Sequence, residues 1–273
     1  MPGRTDPLVH MGVVTGAEAR RIYADNPVIL LPMGSHEDQG PHAGMGDYLL
    51  AEKIAELAAI RASKAGTRTL VAPVLPFGGD DFFGTMIGGI ALSQATLTQV
   101  IADMVDSLHR NGLTRLIVIN GHGGNVGPIS EVARALWREE QRLLPSLYLW
   151  RIAYGMMPKL FGAEHAGKSA GHGADPLTSL GLHLFPDVFR REAIPKAFGL
   201  KRDPVLDLPF TGFGTASFEG AEVAMPNPYE EVSHEAVAQG DPNLSNAENG
   251  AKLSEALVDV VARFCAHFAK KVK

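Results

Sequence analysis

A chain of 273 residues with 45% hydrophobic and 20% charged residues has the composition of an ordinary globular protein, which excludes global disorder and supplies ample apolar side chains for one sizeable core. A formal net charge of -5 and a pI near 6.1, without clustered Lys and Arg, exclude a nucleic-acid surface and point to a small-molecule partner.

Residues 1 to 12 form a polar lead-in with Pro and Gly, and they hold no apolar run of the kind an export signal needs. No stretch of about 18 apolar residues follows, so neither export nor a membrane span is expected and the cytoplasm is the expected location. Thr15 and Glu18 have the spacing of a capping box, which predicts a helix to about Asp25. The β-branched and apolar run Val28 to Leu31 reads as a buried strand, broken by Pro32, Gly34 and Gly40. Between that strand and a helix beginning at Tyr48 lie Ser35, His36, Glu37, Asp38, Gln39, His42 and Asp47. Such a density of oxygen and imidazole donors exceeds what a connection needs, and loops at the carboxyl ends of strands are where open α/β sheets bind ligands. The bland alternative is a solvated loop in which Asp47 caps the helix.

Thr69 to Val74 predicts the next strand, and residues 75 to 89, with adjacent Asp80 and Asp81, predict a long loop that walls a pocket. Ser93 caps a helix whose stripe is Leu97, Val100, Ile101, Met104, Val105 and Leu108, ended by Gly112. The strand Leu116 to Ile119 runs directly into Asn120-Gly121-His122-Gly123-Gly124-Asn125, and a helix is predicted from Pro128 to Arg142. A strand, Gly-rich turn and helix resemble a phosphate loop, but the glycine spacing and the Lys such loops require are missing. Leu147 to Ala153 reads as a further strand, Gly155 to Ala174 is weakly periodic, and Thr178 to Pro186 reads as helical. Residues 195 to 240 read as a loop-rich flap or subunit contact. From Ser245 an amphipathic helix with a basic last turn closes the chain. It carries Cys265, whose solitude excludes an intrachain disulfide and a cysteine metal cluster and suits burial in a reducing compartment. Strands and helices alternate without repeat or linker, which predicts one α/β domain over residues 1 to 273.

Three strand ends thus deliver chemistry: Glu37 and Asp47, then His122, then His172 with Asp175. Carboxylates and neutral imidazole are the ligand set of zinc and manganese, and donors converging from separate loops leave an open position for water or substrate. A divalent ion there lowers the pKa of its water, supplies hydroxide at neutral pH and polarises the carbonyl under attack.

These motifs resemble the creatininase (creatinine amidohydrolase) family, which carries GSxEQHGPH with an Asp shortly after, then NGHGGN, then HAGExETS. The chain has GSHEDQGPH with Asp47, NGHGGN at 120 to 125, and HGADPLTS at 172 to 179, in that order. Weaker likenesses at 72 to 86 and 240 to 250 extend the match over most of the chain. The resemblance implies a layered α/β sandwich with a mainly parallel sheet, and assembly as a homo-oligomer, often a hexamer built of dimers. It implies one metal held by Glu37, Asp47 and His122, with Asp47 able to bridge to a second metal for which Asp175 is a ligand. His172 falls where the family places a histidine near the reacting centre, a candidate for proton transfer to the leaving group.

The departures from the pattern bear on substrate. Gln39 replaces a metal-ligand His, Asp47 arrives one residue early, Asp175 is shorter than the family Glu, and Leu177 and Gly124 replace acidic residues of creatininases. Creatinine is therefore not the expected substrate. The resemblance implies a metal-dependent hydrolase that opens a small polar cyclic carbonyl compound, either a cyclic amide or a cyclic keto-polyol such as 3-dehydro-scyllo-inosose. The competing class, favoured by Gln39, is a metal-stabilised binding protein without turnover.

Overall fold

Two runs free of charged residues, Val28–Met33 and Leu116–Asn120, pair in parallel at the centre of a sheet in the computed structural model, which describes residues 6–79, 86–203, 205–212, 214–225 and 229–272. The elements in chain order are α1 (Gly16–Tyr23), β1 (Val28–Met33), α2 (Tyr48–Lys64), β2 (Thr69–Val71) and α3 (Gln94–Arg110). There follow β3 (Leu116–Asn120), α4 (Val126–Glu140), β4 (Ser146–Tyr148), α5 (Leu149–Phe161), α6 (Ala163–Ser169) and α7 (Leu177–Leu184). The last part holds β5 (Phe210–Gly212), β6 (Thr215–Phe218), β7 (Ala221–Ala224), α8 (Tyr229–Val232) and α9 (Ala247–Lys271).

The first sheet is four-stranded and parallel, in the order β2-β1-β3-β4. Because side chains alternate along a strand, each central strand feeds two cores. Val28, Leu30, Ile117 and Ile119 face α2, α5, α7 and α9, whereas Ile29, Leu31, Leu116 and Val118 face α3 and α4. The result is a helix, sheet, helix sandwich, as the family resemblance implies. Helix α2 lies between the sheet and α9, and its buried Ala51, Ala55, Ala58, Ala59 and Ala62 allow both neighbours to approach closely. The capping box at Thr15 and the Ser93 cap are both present. The lead-in adds to the sheet edge, with the Val71 N–H donating to Val9 O at 2.8 Å. Among the described residues no helix is long and apolar enough to cross a membrane.

Three expectations are corrected. The strand predicted over Leu147 to Ala153 stops at Tyr148, and the remainder is α5. Leu149, Trp150, Ala153 and Met157 are its buried positions, a helical spacing that a short apolar run conceals until it is read past Gly155. Within the weakly periodic segment, α5 continues to Phe161 and α6 follows. The region 195 to 240 is not mere loop, since β5, β6 and β7 form a three-stranded antiparallel sheet. The β6–β7 hairpin turns through Glu219 and Gly220, both at positive φ (51° and 85°), as a two-residue hairpin loop demands. Asp80 and Asp81, singled out above as part of the pocket wall, lie outside the described residues with their neighbours at 82–85.

Candidate metal centre

β1 and β3 are adjacent, so the loops leaving their carboxyl ends meet. After β1 burial alternates along the chain: Ser35, Glu37 and Gln39 are buried while His36 and Asp38 are half-buried. This alternation sorts the donor-rich loop. Glu37 and Gln39 face inward, and Asp38 turns away, its Oδ1 accepting the Gly40 N–H at 2.8 Å. Asp47 occupies the cap position of α2 but makes no cap hydrogen bond. Its Oδ1 accepts the Ser35 N–H at 2.7 Å and its Oδ2 faces His122 Nδ1 at 3.2 Å. The alternative role of Asp47 as a simple cap is thereby displaced.

Glu37, Asp47 and His122 each offer one ligand atom, and the three atoms lie within 4.8 Å of one another, all buried. Close packing of backbone holds them there. A Cβ on Gly34 would sit 2.4 Å from Asp47 Oδ1, and one on Gly78 would sit 2.8 Å from His122 Cδ2, so glycine is required at both. Asn120 fixes the His122 loop, with its Oδ1 accepting the His122 N–H at 3.0 Å and its Nδ2 donating to His122 O at 2.7 Å.

Glu37 Oε1 is a hub: Gln39 Nε2 donates to it at 2.5 Å, His172 Nε2 stands at 3.4 Å and His122 Nδ1 at 3.5 Å. Burial would raise the Glu37 carboxyl, but the charge and hydrogen bonds of His122 and His172 outweigh it and hold the group well below the usual range. Burial pushes Asp47 up to about 6, with the neighbouring Glu37 charge adding to it and His122 opposing it. Burial would lower His122, yet the two carboxylates raise it well above an ordinary histidine. Among the described residues only histidines form ion pairs with these carboxylates. Two buried carboxylates whose only ion-pair partners among the described residues are imidazoles form a site of cation demand, and the donor set fits a divalent ion.

His172 is oriented by a residue in the 195 to 240 region that the sequence did not flag. Its Nδ1 donates to Ala236 O at 2.7 Å, which leaves Nε2 turned to Glu37. Ala236 is fully buried at φ 61°, an unfavourable conformation for alanine that the packing imposes. Asp175 stands outside the three-residue cluster. Its Oδ1 accepts the Ser179 N–H at 3.2 Å, while its Oδ2 is buried and without a hydrogen-bond partner among the described residues.

A cavity of about 430 Å³ opens over Glu37, Asp47, His122 and His172. Its walls are Val126, Tyr148, Trp150, Tyr154, Pro176 and Leu177, with Arg151 beside them. The Trp150 Nε1–H donates to Gly121 O and so ties this wall to the His122 loop. Burial and the nearby Asp175 charge push the Tyr154 phenol up to about 12. Of these wall residues only Leu177 was singled out in the sequence, because an aromatic in an apolar run is read as core.

Known proteins resemble the chain throughout its length. It is 28% identical over 268 residues to the mycofactocin precursor peptide peptidase of Mycobacterium tuberculosis H37Rv, covering 95% of this chain and 92% of that protein. It is 30% identical over 199 residues to the creatinine amidohydrolase of Pseudomonas putida, covering 66% of this chain and 73% of the other. The 3-dehydro-scyllo-inosose hydrolase of Thermotoga maritima is 23% identical over 270 residues, with coverage of 93% and 82%. A creatininase mutant complexed with creatine superposes with a TM-score of 0.75 at 23% identity, covering 96% of this chain and 99% of that one. A manganese creatininase superposes at 0.74 with 24% identity, with the same coverage, and at these identities both likenesses show the fold. The family model described as creatininase, creatinine amidohydrolase, matches residues 13–265, and the chain belongs to the creatininase family.

Proposed function

We propose that the chain is a metal-dependent hydrolase that cleaves the carbonyl–nitrogen bond of an amide, acting as a single hydrolase domain. The observation that carries this reading is the convergence of Glu37, Asp47 and His122 within 4.8 Å at the base of an open cavity. A zinc or manganese ion bound there supplies water activation and carbonyl polarisation. Glu37, Asp47 and His122 hold it, and the unpartnered Asp175 Oδ2 is the donor we place toward a second ion. Gln39 spends its Nε2 on Glu37, so only its amide oxygen remains for a cation, a poorer donor than the histidine it replaces.

His172 is the catalytic proton carrier in this reading. With Nδ1–H committed to Ala236 O, Nε2 can take a proton from the attacking water and return it to the leaving nitrogen. The apolar and aromatic walls favour a substrate with a planar or apolar face, such as a cyclic amide, over a keto-polyol.

The test is elemental analysis of protein purified without chelators, followed by a turnover screen against cyclic amides, formamides, short peptides and inosose-type ketones. Amide hydrolysis lost on chelation and restored by zinc or manganese is the expected result. Ligand binding without turnover across the panel would establish the binding-protein alternative. Assembly as a homo-oligomer belongs to the same reading, supported by the exposed Trp137 and Leu143 (49% and 54%). Light scattering that gives 29.1 kDa at micromolar concentration contradicts it.

A further inference from the structure

The run Asn120-Gly121-His122-Gly123-Gly124-Asn125 ends on a side chain that the proposed chemistry does not use. Asn125 is fully buried and stands at the cap position of α4, yet it makes no cap hydrogen bond. Its amide serves the loops around the metal centre instead. The Oδ1 accepts the Gly79 N–H at 2.8 Å after β2, and the Nδ2 donates to Gly34 O after β1 and to Asn120 Oδ1 at the end of β3, both at 3.2 Å. One side chain thus ties the ends of three strands that are neighbours in the sheet. The amide has one orientation, since a flip would set its NH₂ against the Gly79 N–H and its oxygen against two acceptors.

Gly79 connects Asn125 to the metal centre. The peptide between Gly78 and Gly79 is held on both sides, by the Leu92 N–H donating to Gly78 O at 2.8 Å and by Asn125 at the Gly79 N–H. A Cβ on Gly79 would sit 2.6 Å from Gly124 O, so only glycine fits between the loops. Held in this way, Gly79 turns its carbonyl oxygen to His122 Nε2 at 3.2 Å. A carbonyl only accepts, so Nε2 carries a hydrogen and the lone pair of the neutral ring lies on Nδ1. Nδ1 is the nitrogen that faces Asp47 Oδ2 at 3.2 Å and Glu37 Oε1 at 3.5 Å.

We propose that Asn125 is a positioning residue of the metal centre: by holding Gly79 it fixes His122 as the Nε2–H tautomer and so selects Nδ1 as the nitrogen that binds the ion. This deepens the metal-dependent reading and rests on it. A ring turned over about its Cβ–Cγ bond would offer Cδ2 to the carboxylates and Cε1 to Gly79 O, and the hydrogen bond to Gly79 disfavours that orientation. His172 receives the opposite assignment, with Nδ1 on Ala236 O and Nε2 toward Glu37. Two backbone carbonyls thereby give the two histidines different tautomers for different tasks, ligand and proton carrier.

The experiment uses the full chain with isotope-labelled histidine, chelated and then titrated with zinc alone. Nitrogen NMR reads the His122 ring, and calorimetry reads zinc affinity. Zinc-loaded wild type should show a coordinated Nδ1 and a protonated, exchange-protected Nε2. Asn125→Ala and Asn125→Ser should bind zinc about 10- to 100-fold more weakly, the usual cost of losing a partner behind a ligand, and should lose the protection of Nε2–H. Asn125→Asp keeps an acceptor for the Gly79 N–H and should keep that protection. Val105→Ala, in the core beneath α3, should lower stability and change neither readout. Zinc bound through Nε2 in wild type overturns the proposal, and this measurement stands even where the Ala and Ser variants do not fold. Wild-type affinity with a protected Nε2–H in those variants overturns it too, as does a folded Asn125→Asp without that protection. Each of these outcomes leaves the metal-dependent reading standing, whereas wild-type protein that binds no zinc overturns both.

Discussion

Asp47 Oδ2 and His122 Nδ1 meet at 3.2 Å, although they lie 75 residues apart and belong to loops that leave different strands. The parallel register that sets Met33 opposite Asn120 brings those loops together. The pair is therefore a product of sheet topology, and what each side chain does depends on the other.

Removing either partner should release the tightly held ion. His122→Ala leaves Glu37 and Asp47 buried and facing each other without the imidazole, while Asp47→Asn keeps shape and removes charge. Both should purify with substoichiometric metal by elemental analysis. Activity should fall about 10³-fold or more, since the electrophilic and nucleophilic assistance of the ion is worth several kcal/mol. Wild-type levels of bound metal in both variants would refute the assignment of ligands.

His172→Gln should behave differently. The ion remains, because the three-residue cluster is intact, but turnover should drop roughly 10²- to 10⁴-fold, the share of a positioned acid or base. The pH profile of kcat should lose one limb. A structural role alone would lower stability and leave that limb in place. Ala236 carries the orienting carbonyl on its backbone, so no side-chain substitution there can reproduce the effect.

Much of this site was legible in the sequence because its donors stand in ordered motifs after apolar runs. The strands were legible for the same reason, as Val28–Met33 and Leu116–Asn120 hold no charged residue. What was hidden lies in contacts between distant segments. Nothing local to Ala236 announces that it aims His172, and Trp150, Arg151 and Tyr154 acquire a role only when α5 turns out to begin at Leu149. Asp47 was ambiguous between cap and ligand because both roles place a carboxylate ahead of a helix. The partner across the sheet decides between them.

His42 predicts an acid-side loss of stability. Its ring is buried, with Nε2 at 3.1 Å from Thr178 Oγ1, and the Thr178 hydroxyl donates to Gly173 O, so His42 Nε2 is the donor and the neutral ring fits. Burial lowers its pKa, opposed by the Gly173 hydrogen bond and the Asp38 charge. The native state thus binds fewer protons at this position than the unfolded chain, whose histidines titrate near about 6.5. The stabilisation is complete above that pH and is lost as pH falls through the depressed folded value. Urea melts of chelated protein at pH 7.5 and 5.5 should show a smaller pH dependence for His42→Gln than for wild type. An equal dependence in both would rule out His42 as the source.

Gly250 links the packing of the last helix to the site. A Cβ at this position would lie 1.9 Å from Ser179 O, so α9 and α7 are in backbone contact that only glycine allows. Ser179 is buried in α7, its N–H is held by Asp175 Oδ1, and its Oγ accepts the Asn246 N–H at 3.0 Å ahead of α9. Gly250→Ala must therefore push the two helices apart, an overpacking that costs about 1 to 3 kcal/mol. Chemical denaturation should register that loss. The displacement also carries Asp175 and the cavity-lining Leu177 with α7, so the folded variant should bind any second ion more weakly while keeping the first. Titration of chelated protein with manganese separates the two steps. A variant with wild-type stability and unchanged binding in both steps would show that α7 is not the lever that positions Asp175.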